Sequence, residues 1–245
     1  MQLQDLKGKT AIVTGASSGI GQAAARLLVD EGVRVILTAR RKERLDALAG
    51  ELGENAIVVP ADLGDPAQVA SLFAAARKHF DGSLDLLFNN AGLGYNGMFE
   101  TSKAEEWEKT IDANLYGVLR CTQAAIPMLR GRAGAMISTV SSVGGLYGMA
   151  GWSVYNATKW AVLGFCDAIR KELGPESIRV SVIEPGSVWT EWGFNVDADA
   201  MRERREKVDA LQAEDIARAL VYTFAQPANV NVQEVRVQPV KQIQP

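Results

Sequence analysis

Thr10-Ala11-Ile12-Val13-Thr14-Gly15-Ala16-Ser17-Ser18-Gly19-Ile20-Gly21 is the stretch that decides the fold. Ala11, Ile12 and Val13 form an unbroken apolar run, which in a strand means burial on both faces. The run ends at Thr14 and enters a turn with the spacing Gly15-x-x-x-Gly19-x-Gly21. Glycine lets the chain turn sharply and lets other groups approach its backbone. From Ile20 to Glu31 the apolar residues recur with helical period. A strand delivered through a glycine turn into a helix is the first half of a β-α-β unit.

The remainder of the chain repeats that alternation. β-branched runs predict strands at Thr10–Thr14, Val33–Thr38, Ala56–Pro60, Leu84–Asn89, Gly134–Val140, Ile178–Ile183 and Val232–Val237. Helical periodicity fills the intervals at Ile20–Glu31, Lys42–Leu52, Ala67–Phe80, Ala104–Leu129, Trp152–Leu173 and Glu214–Phe224. Strands joined by helical crossovers make a parallel α/β sheet covered on both faces. No linker-like composition interrupts the pattern, so residues 1–245 are expected to form one domain. The exception to the rhythm is 186–213, which starts with Trp189, Trp192 and Phe194 and runs into the charged stretch Met201–Lys207. A solvated helix would explain it; its position after the sixth strand makes a substrate lid the better expectation.

Composition removes several classes of function. The 245 residues are 47% hydrophobic and 22% charged, enough to bury a core. A net charge of −3 offers no basic field for nucleic acid. Cys121 and Cys166 match no metal or redox spacing, and free thiols fit a reducing compartment. No signal-like or membrane-length apolar run occurs, so a cytoplasmic protein without membrane contact is expected. The lone His79 reads as a helix C-terminal residue, and no metal is expected.

The glycine turn points to a dinucleotide. Gly15, Ser17, Ser18, Gly19, Ile20 and Gly21 bring bare backbone and a helix N-terminus to one place, which suits a pyrophosphate. An NAD site usually carries an acid at the end of the second strand. Here the chain reads Thr38-Ala39-Arg40-Arg41. Arg40 is therefore expected to pair with a 2′-phosphate, selecting NADP(H) over NAD(H), whereas Arg41 is expected to open a solvated helix. Asp62 and Leu63 are placed to meet the adenine, although Asp62 would serve equally as the cap of the helix that follows Pro66.

Tyr155 and Lys159 are four residues apart on one predicted helix and share a face. Ser142 lies just past the fifth strand, and Asn114 interrupts the apolar pattern of the fourth helix. Each is ordinary alone. With Thr14–Gly21, Asn89-Asn90-Ala91-Gly92 and Pro185-Gly186-Ser187-Val188-Trp189-Thr190, the set resembles the short-chain dehydrogenase/reductase family in its one-domain branch. The tail from Asn229 to Pro239 is similar to the sub-branch of 3-hydroxy acid dehydrogenases and clavulanate-type aldehyde reductases. The resemblance implies a Rossmann-like α/β fold, a doubly wound parallel seven-stranded sheet with helices on both faces. It implies an oxidoreductase moving a hydride between nicotinamide and a carbonyl or secondary alcohol. Tyr155 would be the general acid or base, its pKa lowered by Lys159 together with the positive nicotinamide of the oxidised cofactor, and Ser142 would hydrogen-bond the substrate oxygen. Asn114 would anchor a water of the proton relay. Asn90, Ala91 and Gly92 would line the ribose channel; Pro185, Gly186, Val188 and Thr190 would fix the carboxamide, and Tyr155 and Lys159 would also touch the cofactor.

Leu93, Val143, Trp152, Trp189 and Trp192 are expected to line the substrate pocket. The uncharged stretch Val143–Trp152 favours a neutral ketone, aldehyde or alcohol, unless Arg202, Arg204 or Arg205 swings in to meet a carboxylate. The long fourth and fifth helices carry surplus apolar surface, and family members pair them, so a homo-oligomer (dimer or tetramer) is expected. The rival is an NADP(H)-binding sensor without turnover, for which a Ser-Tyr-Lys set would have no use.

Overall fold

A computed structural model describes residues 3–243. Among them, seven strands form one sheet: β1 (Thr10–Thr14), β2 (Arg34–Thr38), β3 (Ala56–Val58), β4 (Leu86–Asn89), β5 (Met136–Val140), β6 (Arg179–Pro185) and β7 (Glu234–Val237). Their order is β3-β2-β1-β4-β5-β6-β7, and every neighbouring pair is parallel. β1 is central, with Ile12 opposite Ile36 on one side and Leu87 on the other. The chain builds outward from β1 to β3, then returns to start again at β4. That reversal opens a crevice between the carboxyl ends of β1 and β4, the place where open α/β sheets bind ligands.

The apolar strands still alternate, but between two cores. Ile12, Ile36, Leu87, Ile137 and Val180 face α3 (Pro66–His79), α5 (Gly117–Leu129) and α6 (Ser153–Leu173). Ala11, Val13, Val35, Leu37, Leu86 and Phe88 face α1 (Gly19–Asp30), α2 (Lys42–Leu52) and α8 (Ala213–Phe224). Successive strand residues point to opposite faces, so an unbroken apolar run is what two cores require.

Two expectations change here. The predicted helix 104–129 is not continuous. α4 (Ala104–Ile111) passes into a π-helical segment at Asp112–Tyr116 before α5 resumes. Asn114, buried in that segment, turns its amide out of the helix and toward the loop after β4. The cap of α3 is Asp65, whose carboxylate accepts from the N–H groups of Ala67 (2.8 Å) and Gln68 (3.4 Å). Asp62 instead closes a tight turn by accepting from Gly64 N at 2.9 Å. The charged run of the 186–213 segment is helical, α7 (Ala198–Val208), and buries no residue. Among the described residues, no helix is long and apolar enough to cross a membrane.

Candidate functional site

A cleft of 780 Å³ runs along the carboxyl edge of the sheet, from the end of β2 to Tyr155 and α7. At its centre, Thr14 ties the first turn to the loop after β4. The Thr14 hydroxyl accepts from Asn90 N (2.9 Å) and Ala91 N (3.0 Å), and Asn90 Nδ2 donates to Thr14 O at 2.9 Å. The turn needs its glycines for different reasons. Gly15 and Gly19 have φ of 67° and 55°, and a Cβ on Gly19 would come within 3.0 Å of Thr190 Cγ2. Gly21 does not line the cleft: a Cβ there would fall 2.5 Å from Asn90 Nδ2, so its bareness lets α1 pack against the turn. Ser18, the N-cap of α1, makes no side-chain cap, which leaves first-turn N–H groups for a ligand. Bare glycine backbone, free N–H groups and adjoining guanidinium groups fit the diphosphate of a dinucleotide.

The end of β2 holds a surprise. Arg40 is exposed and lines the cleft, as expected. Arg41 opens α2 and is exposed, as expected, but its guanidinium also donates to Ser17 Oγ (3.0 and 3.2 Å) and to Ser18 Oγ (2.7 Å), on the glycine turn itself. Two adjacent arginines therefore bound this end, and only their shared position after Thr38 hinted at the second. Asp62 and Leu63 form the opposite wall, where Arg120 of α5 donates to the carbonyls of Leu63 (3.2 Å) and Gly64 (3.0 Å) and holds the strip in place.

At the other end, α6 brings Tyr155 and Lys159 beside Ser142, which follows β5. Tyr155 is 8% exposed, and burial pushes its phenol up to about 12 against the opposing pull of a Ser142 hydrogen bond. Lys159 is buried too: its Nζ donates to Val140 O at 2.8 Å, and desolvation brings it down to about 8. In the protein without cofactor the phenol is thus raised, by desolvation; the lowering expected from Lys159 together with an oxidised nicotinamide concerns the cofactor-bound state. The ammonium lies 5.6 Å from the Tyr155 ring centroid.

Asn114 joins this group through Leu93, not by facing the cleft. Its Oδ1 accepts from Leu93 N and its Nδ2 donates to Leu93 O, both at 2.8 Å, and also to Thr158 Oγ1 at 3.1 Å. Those bonds commit its side-chain amide to holding the 91–93 loop. Gly92 permits the arrangement, since a Cβ there would sit 3.2 Å from Asn114 Oδ1 and 3.7 Å from Lys159 Nζ. Asn156 went unremarked in the sequence, where it is one more polar residue on α6. Buried, it donates to Gly144 O (2.6 Å) and Tyr147 O (3.0 Å) and accepts from Met149 N (3.2 Å), fastening the 143–149 loop to the helix carrying Tyr155.

The 186–213 segment lies across the cleft. Phe194 pairs with the 94–96 loop through Phe194 N to Gly94 O and Asn96 N to Phe194 O, both 2.9 Å. Trp192 stacks on Trp152 at 5.1 Å and packs on Tyr155 at 4.7 Å between ring centroids. Leu93, Val143, Trp152 and Trp192 line the cleft as expected, with Met149 added. Trp189 does not. It faces a second cavity between α1, α2 and α8, with the Arg205 guanidinium 5.5 Å over its ring. Pro185, Gly186, Val188 and Thr190 line the main cleft beside Tyr155. Among the described residues, no group of three His, Cys, Asp or Glu side chains is arranged to hold a metal.

The short chain dehydrogenase family model matches residues 9–200. An uncharacterized oxidoreductase of Staphylococcus aureus strain MW2 is 36% identical over 236 residues, covering 96% of this chain and 99% of its own. The closed form of serine dehydrogenase complexed with NADP+ matches at a TM-score of 0.91 and 33% identity, covering 96% of each chain. A 3-ketoacyl-(acyl-carrier-protein) reductase from Brucella melitensis complexed with NADH matches at 0.87 and 30%, over 97% of this chain and 100% of its own. The chain belongs to the short-chain dehydrogenase/reductase family. It is an oxidoreductase of that family, with a Rossmann-like seven-stranded sheet.

Proposed function

We propose that this protein is an NADP(H)-dependent oxidoreductase interconverting carbonyl compounds and alcohols, with Tyr155 as the proton donor and acceptor. The observation that carries the reading is the convergence of Ser142, Tyr155 and Lys159 at one end of a cleft whose far end carries Arg40 and Arg41. Gly15, Ser17, Ser18, Gly19 and Ile20 would hold the diphosphate, Arg40 and Arg41 the 2′-phosphate, and Asp62 and Leu63 the adenine. Asn90, Ala91, Gly92, Tyr155 and Lys159 would meet the nicotinamide riboside, and Pro185, Gly186, Val188 and Thr190 its carboxamide. The bound cofactor supplies or accepts the hydride. Tyr155 Oη donates its proton to the substrate oxygen during reduction, and Ser142 Oγ hydrogen-bonds the same oxygen as charge develops there. A phenol held up to about 12 is protonated at neutral pH, the state needed for reduction. Alcohol oxidation needs the phenolate, which the Lys159 ammonium and the positive charge of an oxidised nicotinamide would favour.

Leu93, Val143, Met149, Trp152 and Trp192 support an uncharged carbonyl substrate. One observation favours a second reading, a 3-hydroxy acid: Arg204 and Arg205 of α7 line the same cleft and offer a carboxylate its counter-charge. The likeness to serine dehydrogenase points the same way. In this reading residues 1–245 act as one domain with 186–213 as its lid. The buried thiols of Cys121 and Cys166 fit a cytoplasmic setting, and exposed Phe99 and Trp160 support assembly into dimers or tetramers.

NADPH and NADH oxidation, followed separately over a panel of ketones, aldehydes and 3-oxo acids, tests the proposal. Faster turnover with NADPH supports it. Tyr155→Phe is expected to keep NADPH binding and lose about 100-fold or more in kcat. Wild-type protein that binds NADPH but turns over no carbonyl would instead be the sensor.

A further inference from the structure

Glu191 stands between the two cavities and lines both. Its carboxylate bridges two guanidinium groups, Arg44 at 2.6 Å and Arg41 at 3.3 Å, and the Arg44 hydrogen bond, with smaller help from Arg41, holds its pKa below the ordinary value. Arg41 is the residue already seated on Ser17 and Ser18 at the end proposed for the 2′-phosphate. A carboxylate and a phosphate monoester make the same demands on a guanidinium: negative charge and two acceptor oxygens. The chain thus carries its own anion at the place where a ligand's anion is to bind.

We infer that Glu191 is a specificity residue, an internal competitor that a 2′-phosphate displaces from Arg41 and Arg44. The inference rests on the NADP(H) reading. Glu191 also sits between Thr190, whose methyl packs toward Gly19, and Trp192, whose ring packs on Tyr155. Displacing it loosens the tie between the adenosine end of the cleft and the residue covering the phenol. The 2′-phosphate is therefore read where it binds and felt where the reaction occurs, and a cofactor lacking that group leaves Glu191 paired.

Titration calorimetry with two small probes, 2′,5′-ADP and 5′-ADP, tests this without turnover. Glu191→Gln keeps the shape and removes the charge at an exposed position, so folding is not at stake. Exposed pairs of this kind are each worth a fraction of a kilocalorie, so 2′,5′-ADP binding should tighten about three- to tenfold while 5′-ADP binding stays within about twofold. Glu172→Gln removes the same charge from the far end of α6 and should change neither. An equal gain for both probes, or a gain matched by Glu172→Gln, would reduce Glu191 to a general field effect and overturn the inference. So would no gain at all. If wild-type protein binds both probes alike, the NADP(H) reading fails by itself; the Glu191→Gln ratio still decides whether Glu191 competes for the arginines.

Discussion

Lys159 is an ammonium buried in the protein that donates a hydrogen bond to the Val140 carbonyl. Desolvation opposes its charge and brings it from 10.5 down to about 8. A lysine whose folded pKa is depressed is a burden below that pKa, relieved as pH rises toward the unfolded value. Lys159→Met should therefore raise stability at pH 7, by up to about 3 kcal/mol less the lost hydrogen bond. The gap between variant and wild type should narrow between pH 8 and 10.5 in thermal melts. A variant less stable than wild type at neutral pH would show that the lysine is structural. Tyr155, Lys159 and Ser142 were legible in the sequence because their spacing is local. The pKa of Tyr155 was not, since it depends on Trp192 and the other groups that bury it, which arrive from distant segments.

At the scale of the element, the helix predicted over 104–129 is the instructive miss. Apolar periodicity continues straight through Asn114, and nothing local announces that its amide will leave the helix for Leu93. A single polar residue in an apolar face was the only sign. Asn114→Ala strands the Leu93 N–H and C=O in a buried place, at about 1–3 kcal/mol each. Equilibrium unfolding should show a loss of that order, and NADPH binding should weaken as the 91–93 loop relaxes. Asn114→Asp keeps the acceptor and should recover part of it. The glycine turn joins β1 to α1 as expected, but its glycines serve different purposes. Gly21 serves packing, so Gly21→Ala should destabilise the fold itself rather than merely weaken cofactor binding, with a lower melting temperature in the absence of any ligand. The second role of Arg41 eluded local reading because a helix-opening arginine and one seated on the glycine turn look alike until the turn folds back to meet it.

For the whole molecule, the parallel sheet with helices on both faces followed from the alternation of apolar runs with helical periods, whereas the strand order depends on where the chain reverses after β3 and is seen only in the folded chain. Parallel strands put all their carboxyl ends on one edge, and the cleft gathers there. The opposite edge is held by polar staples. Arg179 donates to the carbonyls of Gly134, Thr223, Phe224, Gln226 and Val230, joining β5, α8 and the approach to β7. Asp85 accepts there from Thr10 N and from Arg132. Arg179→Met should cost at least about 3 kcal/mol by orphaning buried acceptors, while kcat and KM of the folded fraction stay near wild type. A change in KM without a change in stability would mean that the two edges are not independent.

The indole pair over Tyr155 has an optical meaning. Two stacked tryptophans 5.1 Å apart couple their excited states, and a phenol 4.7 Å from one of them passes its excitation on. The chain carries a built-in reporter of the segment that lies across its cleft. A molecule that enters the cleft against these rings and shifts either indole will register as a change in the exciton couplet in circular dichroism, before a single turnover and with no dye attached.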